Sequence, residues 1–103
     1  MKTKYIPQES ADIMLTFMNK IRNEYPNVEF KVVADDEGTT EYTGNSPEEA
    51  IEAMDGIDSN FGLNCYDYDS EQYLGWFFLT PYEEDAPVCD HDDNDFCNWA
   101  LDK

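Results

Sequence analysis

The chain has very few basic residues, and they are unevenly placed. Residues 35–102 contain 20 Asp or Glu and no Lys or Arg, whereas residues 1–34 contain five bases and four acids. The formal net charge is −18 at pH 7. Direct binding to nucleic acid or to an anionic membrane is disfavoured, because those surfaces are themselves negatively charged. We expect the carboxylates to serve solubility or steering toward a cationic partner.

Long apolar runs and a secretory leader are also missing. No segment reaches the roughly 18 apolar residues of a membrane-spanning helix. Nothing at the start combines basic residues, an apolar stretch and a small-residue cleavage site. The odd number of cysteines, namely Cys65, Cys89 and Cys97, favours free thiols in a reducing compartment. We therefore expect a cytoplasmic protein.

Catalytic groups are scarce. His91 is the one imidazole in the chain, and no serine or cysteine stands in a recognisable nucleophile motif. Acidic residues are so numerous that pairs of carboxylates arise by chance. The sequence predicts that the protein is not an enzyme and carries no cofactor.

Two patterns resemble metal sites. Asp90, Asp92 and Asn94 alternate like the opening of a calcium loop, but an EF-hand needs Gly and Glu where this chain has Asp95 and Leu101. A solvated acidic turn is the favoured interpretation, and a cation site of another kind stays open.

Zinc is the other metal that the sequence raises. The candidate ligands are Cys89, His91 and Cys97, with Cys65 as a distant fourth. Structural zinc sites usually bring paired ligands from two knuckles, a spacing that this chain lacks. We expect no metal, with Cys65 and Cys97 as small buried residues.

The composition indicates a folded body. Residues 1–103 are 41% apolar and 15% aromatic, too much for a disordered acidic tail, and the length suits one domain. Apolar residues at helical spacing predict a helix from Ser10 to Tyr25, with Ser10 as its cap and Pro26 as its stop. Ser46, Pro47 and Glu49 predict a second helix through a capping box and a proline at its first position.

Alternating or β-prone segments predict four strands. They run over residues 28–34, 39–43, 61–68 and 73–82. In the last, alternation places Leu74, Trp76 and Phe78 on one face and Tyr73, Phe77 and Leu79 on the other. That strand is either covered on both faces or partly exposed as a contact patch, and the first is favoured because large apolar patches on monomers are uncommon.

A short helix over residues 95–101 completes the expected fold. The sequence predicts an α+β domain in the order α-β-β-α-β-β-α, in which an antiparallel sheet of about four strands packs with two main helices and this C-terminal helix.

The remaining signal is acid interleaved with aromatic residues. A rigid body with closely spaced carboxylates can occupy a channel lined by Lys and Arg, with tyrosines in place of the apolar contacts of bases. The predicted partner-binding residues lie around the second hairpin: Tyr66, Asp67, Tyr68, Asp69, Glu71, Glu83, Glu84 and Asp85. An alternative row on the second helix is Glu48, Glu52 and Asp55.

In size, charge and α+β build, the whole chain resembles the small acidic inhibitors of phages and mobile elements that mimic nucleic acid. These include anti-restriction proteins, anti-CRISPR proteins and uracil-DNA glycosylase inhibitors. The Glu-Ser-Ile strand motif of the glycosylase inhibitors has only an echo in residues 9–11, which open a helix here, so no family site is carried over. The resemblance implies a phage protein acting in the host cytoplasm.

Two functions follow as expectations. The first is an inhibitor that mimics DNA or RNA and occupies the basic nucleic-acid-binding groove of a host defence or DNA-processing protein. The alternative is an acidic adaptor or regulatory protein that binds a basic protein without competing with nucleic acid. Neither involves direct contact with nucleic acid or a membrane, and the oligomeric state is open.

Overall fold

The computed structural model describes residues 2–35, 38–82, 88–89 and 95–101, with the backbone alone for residues 88 and 89. The elements in chain order are α1 (Gln8–Glu24), β1 (Val28–Ala34), β2 (Thr39–Gly44), α2 (Pro47–Met54), β3 (Phe61–Asp67), β4 (Gln72–Leu79), β5 (Val88–Cys89) and α3 (Asp95–Ala100). The predicted α+β class is confirmed, as is the order of the helices and the four long strands. The two-residue strand β5 is an addition that the sequence did not predict.

The sheet is antiparallel throughout, with strand order β2-β1-β3-β4-β5. One face carries Phe30, Leu63 and Phe77, each with no exposed surface. Helices α1 and α3 pack on this face, since the Phe77 ring lies 5.1 Å from that of Phe17 and 5.9 Å from that of Phe96. The α2 side chains that complete this core are Ala50, Ile51 and Met54.

Helix α1 begins earlier than the sequence indicated. Its ladder starts with the Ala11 N–H, which donates to the Pro7 carbonyl at 3.0 Å, and the first helical residue is Gln8. Ser10 is buried inside the helix, so its predicted role as the cap is wrong. Pro7 occupies the N-cap position instead, with its φ held at −52° by the ring.

Helix α2 begins as predicted, with one difference. The Ser46 hydroxyl accepts from the Glu49 N–H at 3.3 Å, and Pro47 occupies the first turn. The Ser46 N–H donates to the hydroxyl oxygen of Tyr42 at 3.0 Å, and that hydroxyl donates to the Glu49 carboxylate at 3.3 Å. A tyrosine on β2 therefore supplies the second half of the capping box.

A bulge changes the faces at the start of β4. Tyr73 pairs with Tyr66, the next pair begins at Gly75, and Leu74 is the extra residue between them. Leu74 packs against the core, and Tyr73 lies on the same face as Trp76. The predicted alternation is confirmed from Trp76 onward and wrong before it, because a bulge reverses the side on which the preceding side chains emerge.

Helix α3 approaches β4 closely at Gly75. A Cβ there would lie 2.6 Å from Cδ1 of Phe96, a distance at which one of the two must move. The Cys97 thiol donates to the Trp76 carbonyl at 3.5 Å. A glycine in β4 thus lets the short helix settle on the sheet.

Candidate binding surfaces

The acidic row of α2 is presented to solvent by the way that the helix packs. Its apolar side faces the core, which leaves Glu48 and Glu52 exposed one turn apart on the other side. Burial does most to raise the pKa of the Tyr42 hydroxyl at the start of the helix, and the neighbouring Glu49 carboxylate raises it further.

Asp55, the third predicted member of the row, is committed to the fold. Its carboxylate accepts from the backbone N–H groups of Lys4, Tyr5 and Ile6 at 2.7, 2.8 and 3.0 Å. Partial burial acts to raise the pKa of Asp55, but these three donors and the Lys4 charge outweigh it and lower the pKa. Asp55 therefore fastens the N-terminal segment to the end of α2.

We expect Asp55→Ala to lower the free energy of unfolding by about 1–2 kcal/mol at pH 7, because three N–H donors lose a charged acceptor. A carboxyl with a lowered folded-state pKa stabilises the fold above its unfolded value of about 3.9, and this contribution is lost as the pH falls through the folded pKa. Urea unfolding at pH 7 and pH 3 measures the effect, with the exposed Asp58→Ala as control. An equal loss at both pH values would contradict the role of the charge.

The turn between β3 and β4 contains three of the predicted contact acids, which differ in exposure and in their hydrogen bonds. Asp67 is 4% exposed, and its carboxylate accepts from the Ser70 hydroxyl at 2.7 Å and from the Asp69 and Ser70 N–H groups at 3.2 Å. The bond from the Ser70 hydroxyl does most to lower the pKa of Asp67. Asp67 thus organises the turn rather than presenting its charge outward.

Asp69 and Glu71 are exposed in the same turn. The Asn27 side-chain amide donates to Asp69 at 2.8 Å, and Glu71 has a φ of 54°, in the left-handed region. The other predicted hairpin acids, Glu83, Glu84 and Asp85, lie outside the described residues.

The second face of the sheet carries aromatic side chains, and we call it the open sheet face. Its members on β1, β3 and β4 and in the turn after β3 are Glu29, Lys31, Val33, Gly62, Asn64, Tyr66, Tyr68, Tyr73, Trp76 and Phe78. Tyr68 and Tyr73 are 57% and 58% exposed. The predicted contact residues Tyr66 and Tyr68 meet here edge to face, with ring centroids 4.9 Å apart.

Polar bonds fix these rings in place. The Tyr68 hydroxyl donates to Glu29 at 2.8 Å, the bond that does most to raise the pKa of that hydroxyl. The Tyr73 hydroxyl donates to Asn64 at 3.1 Å. The side chains of this face are therefore held in place and partly exposed, as in a contact patch. The described helices do not cover this side of β4, so the expectation that the strand is covered on both faces is not met by them.

Gly62 explains how Trp76 lies on that face. The indole Nε1 would be 3.0 Å from a Cβ at position 62, so the ring rests over the glycine backbone. The sequence places Tyr73, Trp76 and Phe78 in a strand that is either covered or a contact patch, but it does not indicate Lys31 or Asn64 as members of the same face. The register that brings these residues together is not visible in any local pattern.

A groove between α1 and α3 is a further concave surface. Ile13, Phe17 and Leu101 give it apolar walls, and the exposed acids Glu9 and Asp12 also line it. Lys20 at its margin is turned to α3, with Nζ 4.8 Å from the Trp99 ring centroid. The groove thus combines apolar surface with negative charge.

The residues predicted as possible metal ligands lie partly outside the described residues. Among the described residues no three His, Cys, Asp or Glu side chains converge as metal ligands would. The loop from Asp90 to Asn94 lies outside the described residues, as does the Cys89 side chain, whereas Asp95 opens α3. Cys65 and Cys97 are buried thiols as expected, and burial raises the pKa of Cys65.

The helices of the described part of the chain are all too short or too polar to cross a membrane. Comparison with protein-family models, with curated proteins and with solved structures gives no match. The surfaces described above are therefore the features that bear on function.

Proposed function

We propose that the protein is an inhibitor that mimics DNA or RNA and occupies the basic nucleic-acid-binding groove of a host defence or DNA-processing protein. One observation carries the proposal: exposed carboxylates stand on the outer side of α2, within a stretch of 68 residues (35–102) that contains no Lys or Arg. Such a surface attracts a cationic groove and repels nucleic acid and anionic membranes.

The spacing of the α2 carboxylates supports this function. Glu48 and Glu52 are four residues apart on a helix, which is about 6 Å along its axis. Two nucleotide steps along one DNA strand occupy roughly 7 Å. The distance between the two carboxylates is therefore close to the distance between phosphates that a groove lined by Lys and Arg binds. The helix that carries them has its start fixed by Ser46 and Tyr42.

The exposed acids of the hairpin turn, Asp69 and Glu71, extend the proposed contact. The turn lies at the same end of the sheet as the start of α2, because Val28 pairs with Asp67 and the neighbouring Phe30 pairs with Gly44. Asp55 and Asp67 contribute by keeping the N-terminal segment and the turn in place.

Competition with nucleic acid tests the proposal. The immobilised chain is incubated with the heparin-binding fraction of a bacterial lysate, which is enriched in nucleic-acid-binding proteins. We expect a captured protein to be released by short duplex DNA or structured RNA, and its affinity to fall at least 10-fold between 50 and 200 mM NaCl as for a phosphate-gripping groove. A protein that stays bound in excess DNA and RNA would contradict the mimicry.

The α1–α3 groove favours one alternative, an acidic adaptor. A basic amphipathic helix would place apolar residues against Ile13 and Leu101 and its cations beside Glu9 and Asp12. For this function, Ile13→Glu abolishes capture while excess nucleic acid leaves it intact. The two functions are thus separated by the same competition experiment.

A further inference from the structure

The open sheet face is the part of the molecule that the proposed function leaves unused. It is well supplied with aromatic side chains, and Glu29 is its one acid within β1, β3 and β4, because the other acid of these strands, Asp67, is buried in the turn. A chain that carries 24 acids keeps this face nearly free of them. An exposed aromatic surface with little charge is typical of a protein contact.

We propose that the open sheet face binds the same face of a second copy of this chain, giving a two-fold symmetric dimer of stacked sheets. A two-fold interface must be complementary to itself. Glu29 and Lys31 are two residues apart on one face of β1, so a two-fold axis between them places each Lys31 against Glu29 of the other copy. The aromatic rings then pack around this pair of ion pairs.

Charge also argues against other occupants. Nucleic acid is repelled by the net charge of −18. A strongly basic protein surface is poorly matched, since Lys31 is exposed among the rings, opposite Asn64 of β3. A second copy supplies both the apolar surface and the carboxylate that this face requires.

The dimer keeps the acidic surfaces apart. Stacked sheets lie about 10 Å from each other, and the α2 helices on the outer sides of the two sheets would be roughly 30 Å apart. That separation exceeds the Debye length of about 8 Å at physiological ionic strength, so most of the repulsion between the copies is screened. The α2 row of each copy stays accessible for the proposed partner.

The size of the face indicates the class of complex. The three strands of the face, about 4.8 Å apart and each of about seven residues, cover roughly 15 by 20 Å. Two such faces bury an area typical of weak, transient complexes, so we expect a reversible dimer.

Sedimentation equilibrium tests this at 1–200 μM protein in 50 and 500 mM NaCl. We expect a monomer–dimer equilibrium whose dimer fraction rises with salt, because salt reduces the repulsion between two chains of net charge −18 more than it weakens the two Glu29–Lys31 pairs. This is the reverse of the salt effect expected for the groove-bound partner, so the two proposals fail separately. A protein that is monomeric at 200 μM in 500 mM NaCl would overturn the dimer.

Single substitutions on exposed side chains locate the interface. Tyr73→Glu is expected to weaken dimerisation at least 10-fold, and Tyr68→Glu provides a second variant should the first disturb the fold by circular dichroism. Tyr5→Glu is the matched control, since Tyr5 is 69% exposed and lies outside the open sheet face. If both face variants dimerise at the wild-type level, this face is not the dimer interface. The dimer is also excluded if the wild-type protein is a monomer and Tyr73→Glu abolishes capture of a partner protein.

A charge exchange tests the two-fold arrangement itself. Glu29→Lys and Lys31→Glu should each prevent self-association, because each puts like charges together across the axis. An equimolar mixture of the two variants should dimerise with at least wild-type affinity. A mixture that stays monomeric would show that Glu29 and Lys31 do not face each other across the interface.

Discussion

Phe77→Ala is expected to lower the free energy of unfolding by about 3–5 kcal/mol. Phe77 has no exposed surface and lies against the rings of Phe17 from α1 and Phe96 from α3. Truncation leaves a cavity where both helices meet the sheet. A domain of this size is usually stable by only 5–15 kcal/mol, so urea unfolding should show a large shift of the midpoint.

The neighbouring residue gives the matched control. Phe78 is adjacent in the chain but lies on the open sheet face and is half-buried. Phe78→Ala should cost about 1 kcal/mol in dilute solution, because less apolar surface returns to water. Equal losses for the two variants would contradict the assignment of the core to one face of β4.

Reversing the charges of the α2 row should weaken binding of the proposed partner on the order of 100-fold. In Glu48→Lys/Glu52→Lys, two exposed carboxylates become cations that face the Lys and Arg of the groove, and like charges brought together at an interface cost several kcal/mol. Both side chains point away from the core, so stability should change little. Titration calorimetry with the purified partner measures the loss.

Two further double variants make this result specific. Asp69→Lys/Glu71→Lys tests the hairpin turn, which should contribute less because Asp69 already accepts a hydrogen bond from the Asn27 side chain. Glu9→Lys/Asp12→Lys carries the same charge change on α1, beside the α1–α3 groove. Loss of binding in the α1 variant with full binding in the α2 variant would replace the mimic with the adaptor.

Local patterns in the sequence were sufficient for most of the fold. The period-two pattern from Val28 to Ala34 matches β1 residue for residue, and the Ser46, Pro47 and Glu49 signature marks the start of α2. The misses have local causes as well. The bulge at Leu74 depends on the pairing of β4 with β3, and β5 is too short for any periodic signal.

The site was less predictable than the fold, because an acid's role depends on what surrounds it. Asp67 and Asp69 look equivalent in the sequence, yet the first caps a turn and the second is exposed. Asp55 seemed to continue the row of Glu48 and Glu52, but it receives three N–H groups from a segment about 50 residues away. Such non-local partners have no signature in composition or spacing.

Strand β2 is at one edge of the sheet, a place where outward N–H and C=O groups can pair with a strand of another chain. Its pairing with β1 shifts between Val32 and Val33, which leaves Glu41 as an extra residue in the strand. A kinked edge with a carboxylate at the kink offers no continuous ladder to an incoming chain. Concentrated samples should accordingly remain free of fibrils. Thioflavin T fluorescence should not increase, even at concentrations at which the protein associates through the open sheet face.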